Sequence, residues 1–255
     1  GSTITQVANR EHDTDYGQYN SLVRADENTY VLSYNGQNNR GRIQTFTIPP
    51  DGSSITEVAN AAFADNGYSY FNSLVQVDHD TYLNAGYSYN TSGSSGYYGV
   101  LETFTIPTDG STITSVANLK YTTANTGKYN KLLKLNANEY ILAYQGSGND
   151  GFIEMYTVSS DGATITKKWQ NKFDGDNSWN DLVRVDKNTI ALTYAGSGSD
   201  GYIQTFDIGT SDNAGPAITA NSINYENSQF TISLTEAEYN TNGCLLYTSQ
   251  SPRDS

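Results

Sequence analysis

A repeat constrains this chain more than any other feature: one unit of about fifty residues returns four times with the same internal order. An aromatic–Asn pair opens each copy, at Tyr19-Asn20, Phe71-Asn72, Tyr129-Asn130 and Trp179-Asn180. Later in each copy comes a strand such as Ile43-Gln44-Thr45-Phe46-Thr47-Ile48, with counterparts at Leu101 to Ile106, Ile153 to Val158 and Ile203 to Ile208. Asp-Gly turns follow at Asp51-Gly52, Asp109-Gly110 and Asp161-Gly162. An Ile-Thr strand then starts at Ile55, Ile113 and Ile165, with an earlier copy at Ile4.

Each unit divides into four short strands, A to D. Strand A (Ser21 to Ala25 in the first unit) is apolar on both faces through Leu22 and Val23, as suits a strand sandwiched between neighbouring sheets. Strand B alternates, with Tyr30, Leu32 and Tyr34 opposite Val31 and Ser33, which is the period of a β-strand. Strand C alternates too, and the Asp-Gly between C and D is a strong hairpin signal. The A–B turns carry Asp and Asn, as in Asp26-Glu27-Asn28-Thr29, because those side chains bond the backbone two residues on. No window has a helical apolar period, so essentially no helix is expected.

Four-stranded antiparallel units at this spacing predict an all-β fold, a β-propeller with four blades visible. A sandwich would not explain why whole units recur with their turn chemistry. The second unit slips phase in its B strand, Tyr82 to Tyr87, and has a longer B–C loop, Ser88 to Tyr98; a bulge there is expected. Gly1-Ser2-Thr3-Ile4-Thr5 matches Gly110-Ser111-Thr112-Ile113-Thr114, so the chain begins inside a C–D hairpin. The expected layout is a D strand at 1–12 and blades at about 19–62, 71–120, 129–170 and 179–208. Two closures fit: a four-bladed ring completed by the N-terminal D strand, or a fragment of a larger ring.

Residues 209–216 read as a linker by composition. Residues 217–243 carry two further strands, and the run from Phe230 to Gly243 resembles the opening of bacterial immunoglobulin-like modules, here truncated. The tail 244–255 resembles a translated sequencing-adaptor read-through. It is expected to be non-native, and the chain a metagenomic fragment.

Composition narrows the function classes. With 14 Lys+Arg against 27 Asp+Glu the net charge is −13, which disfavours nucleic acid, whose phosphates are bound by cations, and anionic membranes. No apolar run approaches the ~20 residues of a membrane span. The single Cys244 excludes an internal disulfide framework. No signal peptide is visible, and no initiator Met precedes the first residue. The 21 Tyr suit strands that are half wet, each with an apolar ring and a hydroxyl that wants a partner.

The aromatic–Asn pairs are the candidate ligand-binding residues. In a propeller the D–A and B–C loops share one face and strand A lines the channel, so Tyr19, Phe71, Tyr129 and Trp179 form a partial aromatic ring, each beside Asn20, Asn72, Asn130 or Asn180. Rings and amides suit sugars. The alternative is that the Asn caps the turn and the ring packs between blades. No catalytic residue stands out, no cofactor is implied, and His12 and His79 are too isolated for a zinc site. Calcium is a weak possibility at Asp174 and Asp176, where Asp-Gly-Asp-Asn partly matches a cation loop. Arg24, Gln76, Lys134 and Arg184, two residues before the turn Asp or Asn, are expected to bridge within the turn.

The four units, in the pattern YNSLVxVDxDTYxLAYxGxGxDGYIxTFTI, resemble bacterial secreted or cell-surface propeller repeats over about residues 1–208. That resemblance implies an extracellular setting and a monomeric module of a larger chain. The leading expectation is non-enzymatic binding or adhesion, to glycans or a cell-surface protein. The alternatives are a glycosidase or lyase with carboxylates in the channel, and a spacer with no ligand.

Overall fold

The computed structural model describes residues 3–63, 67–90, 96–123 and 125–209, and the backbone of 218–224 and 229–234. The chain divides into two compact units, Gly1–Ile208 and Gly209–Ser255. In the second unit 218–224 pairs antiparallel with 229–234. The rest of the linker, the immunoglobulin-like stretch and the tail lie outside the described residues.

The first unit is a row of four antiparallel sheets. Blade 1 comprises β1 (Gln18–Arg24), β2 (Thr29–Asn35), β3 (Gly41–Thr47) and β4 (Thr56–Ala62). Blade 2 holds β5 (Ser69–Gln76), β6 (Thr81–Asn90), β7 (Gly96–Thr105) and β8 (Thr114–Lys120). Blade 3 is β9 (Lys128–Lys134), β10 (Glu139–Gln145), β11 (Gly151–Val158) and β12 (Ile165–Asp174). Blade 4 has three strands, β13 (Ser178–Arg184), β14 (Thr189–Ala195) and β15 (Gly201–Asp207). Strand order follows chain order in every sheet, so this is a β-propeller architecture. Helical structure among the described residues is confined to three-residue 3-10 turns in the B–C loops, Gln37–Asn39, Ser147–Asn149 and Ser197–Ser199.

The A strands line up, with β1 meeting β5, β5 meeting β9 and β9 meeting β13. Apolar clusters fill the spaces between blades. Val31 and Ile43 of blade 1 pack with Leu74, Tyr82, Phe104 and Ile106 of blade 2. Leu83 and Leu101 meet Leu132, Tyr140 and Leu142 at the next junction, and Ile141 and Ile153 meet Leu182, Ile190 and Leu192 at the third. Such side chains contribute about 1.5–3 kcal/mol each on full burial, so stacking of blades holds the unit together.

Polar staples repeat at the same junctions. Thr45 Oγ1 donates to Gly110 O (2.7 Å) and Thr103 Oγ1 to Gly162 O (2.8 Å), tying a C strand to the next blade's C–D turn. The residues expected to bridge within the A–B turn do something further. Arg24 bonds the backbone carbonyls of Asp26 and Glu27 rather than a carboxylate. Gln76 Nε2 reaches Ala25 O of the preceding blade (3.2 Å), Lys134 Nζ reaches Val77 O (2.7 Å) and Arg184 reaches Leu135 O. The position is an inter-blade staple, so its long polar side chain serves the neighbouring sheet.

Two expectations are corrected. The B strand of blade 2 has no bulge against its C strand: β6 pairs with β7 in unbroken register from Thr81↔Thr105 to Asn90↔Gly96. The apparent slip is Gly86 standing where Tyr34, Tyr144 and Tyr194 stand elsewhere; a Cβ there would lie 2.7 Å from Ser69 Oγ and 3.0 Å from Asn72 Oδ1. The N-terminal D-strand sequence forms no strand among the described residues, since 3–17 are outside any ladder. Among the described residues blade 4 has no D strand, and the four-bladed closure is not formed.

Candidate functional site

Each A strand carries a two-residue β-bulge at the aromatic–Asn pair. In blade 1 the register passes from Gln18↔Asn35 to Ser21↔Ser33, so Tyr19 and Asn20 together face Tyr34. The same break occurs at Tyr70/Ser73, at Lys128/Lys131 and at Ser178/Asp181. Bulges of this kind re-aim side chains. Here the first residue of each bulge is left-handed, with φ of 55° at Tyr19, 55° at Phe71, 54° at Tyr129 and 59° at Trp179. Bulky residues rarely adopt that conformation, and each instance costs on the order of 1–3 kcal/mol.

The four rings form a staircase. Tyr19 and Phe71 have centroids 4.7 Å apart, Phe71 and Tyr129 4.5 Å, and Tyr129 and Trp179 4.8 Å, with interplanar angles of 56°, 51° and 52°. Every contact crosses a blade boundary, so the rings also join blades, as the packing alternative anticipated. Together with Asn20, Asn72, Asn130 and Asn180 they line a pocket of ≈ 140 Å³. All eight candidate residues thus meet in one place, and none of the lining side chains carries a charge. Trp179 ends the staircase with 68% of its surface exposed.

The amides are each half engaged. Asn20 Nδ2 donates to Gly17 O (2.9 Å) and Asn180 Nδ2 to Tyr129 O (2.8 Å). Asn72 Oδ1 accepts from Ser69 Oγ (2.8 Å), and Asn130 Oδ1 accepts from the Tyr121 hydroxyl (2.6 Å). Their other ends, Asn72 Nδ2, Asn130 Nδ2 and Asn180 Oδ1, are buried and have no protein partner. A buried polar atom left so costs about 1–3 kcal/mol unless water or a ligand meets it.

A second aromatic array adjoins the first and was not singled out in the sequence. Tyr97 lies 4.9 Å from both Tyr87 and Tyr89, 5.9 Å from Tyr70 and 6.3 Å from Tyr68. Tyr70 then touches Tyr19 (5.6 Å), and Tyr87 approaches Phe71 (6.4 Å). These tyrosines belong to β5 and the long β6–β7 arms, or lie just before β5, so only blade 2 builds this wall. Burial and the neighbouring Tyr97 push the Tyr70 hydroxyl well above the usual tyrosine range, and burial also raises Tyr87. Both stay neutral donors at ordinary pH. The available signal was the spacing Tyr68-Ser69-Tyr70 and Tyr87-Ser88-Tyr89, which puts tyrosines on one face of each strand.

Buried carboxylates lie elsewhere. Glu154 on β11 is fully buried and accepts from the Tyr144 hydroxyl (2.8 Å), the Tyr156 hydroxyl and Lys167 Nζ (3.0 Å). Glu102 on β7 accepts from Ser115 Oγ (2.9 Å). Both occupy C strands, while the pocket is made by A strands. Of the weak calcium candidates, Asp174 accepts from the backbone N–H of Gly175 (2.6 Å) and Asp176 (3.2 Å) and from the Tyr194 hydroxyl. The tyrosine bond holds its carboxyl below the ordinary value. Asp13 makes the equivalent bonds to Asp15, Tyr16 and Tyr34, so this carboxylate recurs as a D–A turn cap. No group of three or more His, Cys, Asp or Glu side chains gathers among the described residues. No helix there is long and apolar enough to cross a membrane.

No protein-family model matches the sequence, and comparison with curated proteins gives no match. Solved structures share the fold. A sialidase of Streptococcus pneumoniae superposes with a TM-score of 0.52 at 13% identity over 71% of this chain and 29% of that one. The periplasmic gluconolactonase of Pseudomonas aeruginosa gives 0.53 at 12% identity over 84% of this chain and 63% of that one. This chain therefore spans under two thirds of either relative. At such identity the likeness concerns the propeller fold alone, since one fold hosts many functions.

Proposed function

We propose that the aromatic–Asn face binds neutral glycans, as a non-enzymatic binding module of an extracellular bacterial protein. One observation carries the reading: four bulky rings are held at positive φ around one uncharged pocket, beside amides with unpartnered ends. A turn that needed only the backbone shape would use glycine, which adopts positive φ without steric cost. Rings offer flat faces to the C–H surfaces of a sugar, and the exposed amide of Asn20 suits its hydroxyls. The pocket is below the ~300 Å³ at which clefts begin to enclose a drug-sized ligand. It therefore has room for no more than one small unit, and the tyrosine wall of blade 2 extends the surface for its neighbours.

The charge selects within glycans. A net charge of −13 repels anionic sugars at long range, and no Arg lines the pocket to clamp a carboxylate. Neutral oligosaccharides are the matching class, and the substrate of the sialidase relative is not carried over. The enzymatic alternative needs a pair of carboxylates flanking the scissile bond, whereas the pocket residues are aromatic and amide.

The test is a solution titration of the full chain carrying Trp169→Phe, which leaves Trp179 as the sole indole. Neutral cello-, xylo- and manno-oligosaccharides are added with and without calcium. Saturable change in Trp179 emission with at least one of them is expected. Emission that responds to none of them would remove this reading and favour the spacer.

A further inference from the structure

The staircase ring repeats in every blade, but the residue before it does not: the four positions hold Gln18, Tyr70, Lys128 and Ser178. The blades therefore differ right beside the pocket they share. Tyr70 belongs to the blade 2 wall, and Lys128 reaches toward that wall from blade 3. Its Nζ lies 5.6 Å from the centroid of the Tyr87 ring, within the range of a cation–π contact. Tyr87 stands between the two aromatic arrays, 4.9 Å from Tyr97 and 6.4 Å from Phe71. The ammonium is thus placed where the wall meets the Phe71–Tyr129 step of the staircase.

The chain leading into Lys128 is fixed to the wall. The Asn125 N–H donates to Tyr97 O (2.6 Å), and the Gly99 N–H donates to Thr122 Oγ1 (2.7 Å). Gly127 has φ 101°, and a Cβ there would lie 2.5 Å from Gly99 Cα, so only glycine permits this approach. Lys128 and Tyr97 are consequently held as one unit. The ion pairs among the described residues use Arg10, Lys131, Lys167 and Lys172, and Lys128 is in none of them. An ammonium offers three N–H donors and no acceptor, so this one presents donors beside aromatic rings.

Resting on the glycan reading, we propose that this junction recognises the acetamido group of a neutral N-acetylated amino sugar, with Lys128 setting the preference. The acetamido carbonyl accepts from the ammonium, and its methyl packs on the tyrosine rings. A hydroxyl at the same place can meet the ammonium but gives the rings nothing apolar. A protonated amine meets a like charge. A carboxylate suits an ammonium, yet a net charge of −13 opposes an anionic ligand at long range. The acetamido group answers both cation and ring without adding charge.

Isothermal titration calorimetry of the full chain with four β-1,4-linked tetrasaccharides tests this: cello- (hydroxyl), chito- (acetamido), chitosan (amine) and cellouronate (carboxylate). The chito-oligosaccharide should bind tightest, by roughly 10-fold over the cello-oligosaccharide. Lys128→Ser and Lys128→Gln carry the residues that blades 4 and 1 place there, so one serves if the other does not fold by far-ultraviolet dichroism. Either should bring that ratio down to about 2 or less. Equal affinity for the cello- and chito-oligosaccharides in the parent overturns this inference and leaves the glycan reading standing. So does tightest binding of chitosan or cellouronate, or a ratio unchanged in a folded variant. A parent that binds none of the four removes both.

Discussion

The staircase and the tyrosine wall share one surface, and the chain makes them in opposite ways. The staircase is assembled by repetition, one strained aromatic per blade, each ring touching the next across a blade boundary. The wall is assembled once, from blade 2, by lengthening a single hairpin and placing tyrosines on its facing strands. Repetition gives a periodic surface, and a unique addition breaks that symmetry. On the proposed glycan-binding reading, the staircase would supply affinity and the wall directionality along a bound chain.

Trp179→Gly separates the two most sharply. It removes an exposed ring with one staircase contact and relieves a positive φ, so stability by urea unfolding should stay within about 1 kcal/mol of the parent. Glycan affinity should fall by roughly 30-fold, the loss of about 2 kcal/mol expected of an aromatic anchor. A large stability loss with unchanged binding would make Trp179 a packing residue and dissolve the distinction.

Tyr97→Ala probes the other array. It takes four ring partners from Tyr68, Tyr70, Tyr87 and Tyr89 and should cost roughly 1–2 kcal/mol of stability. Binding of longer oligosaccharides should weaken by about 3- to 5-fold, under 1 kcal/mol, with single sugars unaffected. Equal loss for all lengths would place the wall inside the primary site.

Titration addresses the tyrosines that hold the blades rather than the site. Burial pushes the hydroxyls of Tyr34 and Tyr82 from 10.0 up to about 12. Below pH 10 both folded and unfolded chains keep these protons and their stabilisation is complete. Above it the unfolded chain releases them first, so stability falls as pH rises from 10 through about 12. Denaturant midpoints flat across that window would show that these hydroxyls are not shielded. Asp174→Asn is the mildest change: the turn loses charged acceptance from Tyr194 and two N–H groups, for about 1 kcal/mol, and glycan binding is unchanged. Binding that falls with it, or on chelation of calcium, would shift the site toward the D–A turn.

The periodic features were legible in the sequence because identical neighbours recur: blades, Asp-Gly turns and the eight aromatic–Asn residues stand in register. What depended on a partner in another blade was not. Gln76 reads as a turn residue until Ala25 O, 51 positions away, is seen to accept its amide. Gly86 reads as a slipped phase until Ser69 and Asn72 are found against it. Tyr97 is an unremarked loop tyrosine until the β6–β7 register sets it opposite Tyr89. The left-handed backbone at the four aromatics had no signal in residue type, since bulky rings are what normally avoid it.

The most direct measurement is a glycan-array screen of the full chain beside a Tyr129→Ala, Trp179→Ala double variant, folding verified by circular dichroism. Specific binding to neutral glycans by the parent, lost in the folded variant, is the predicted result. Binding to no glycan, or binding that survives both substitutions, would contradict the claim that the staircase is a sugar-binding surface.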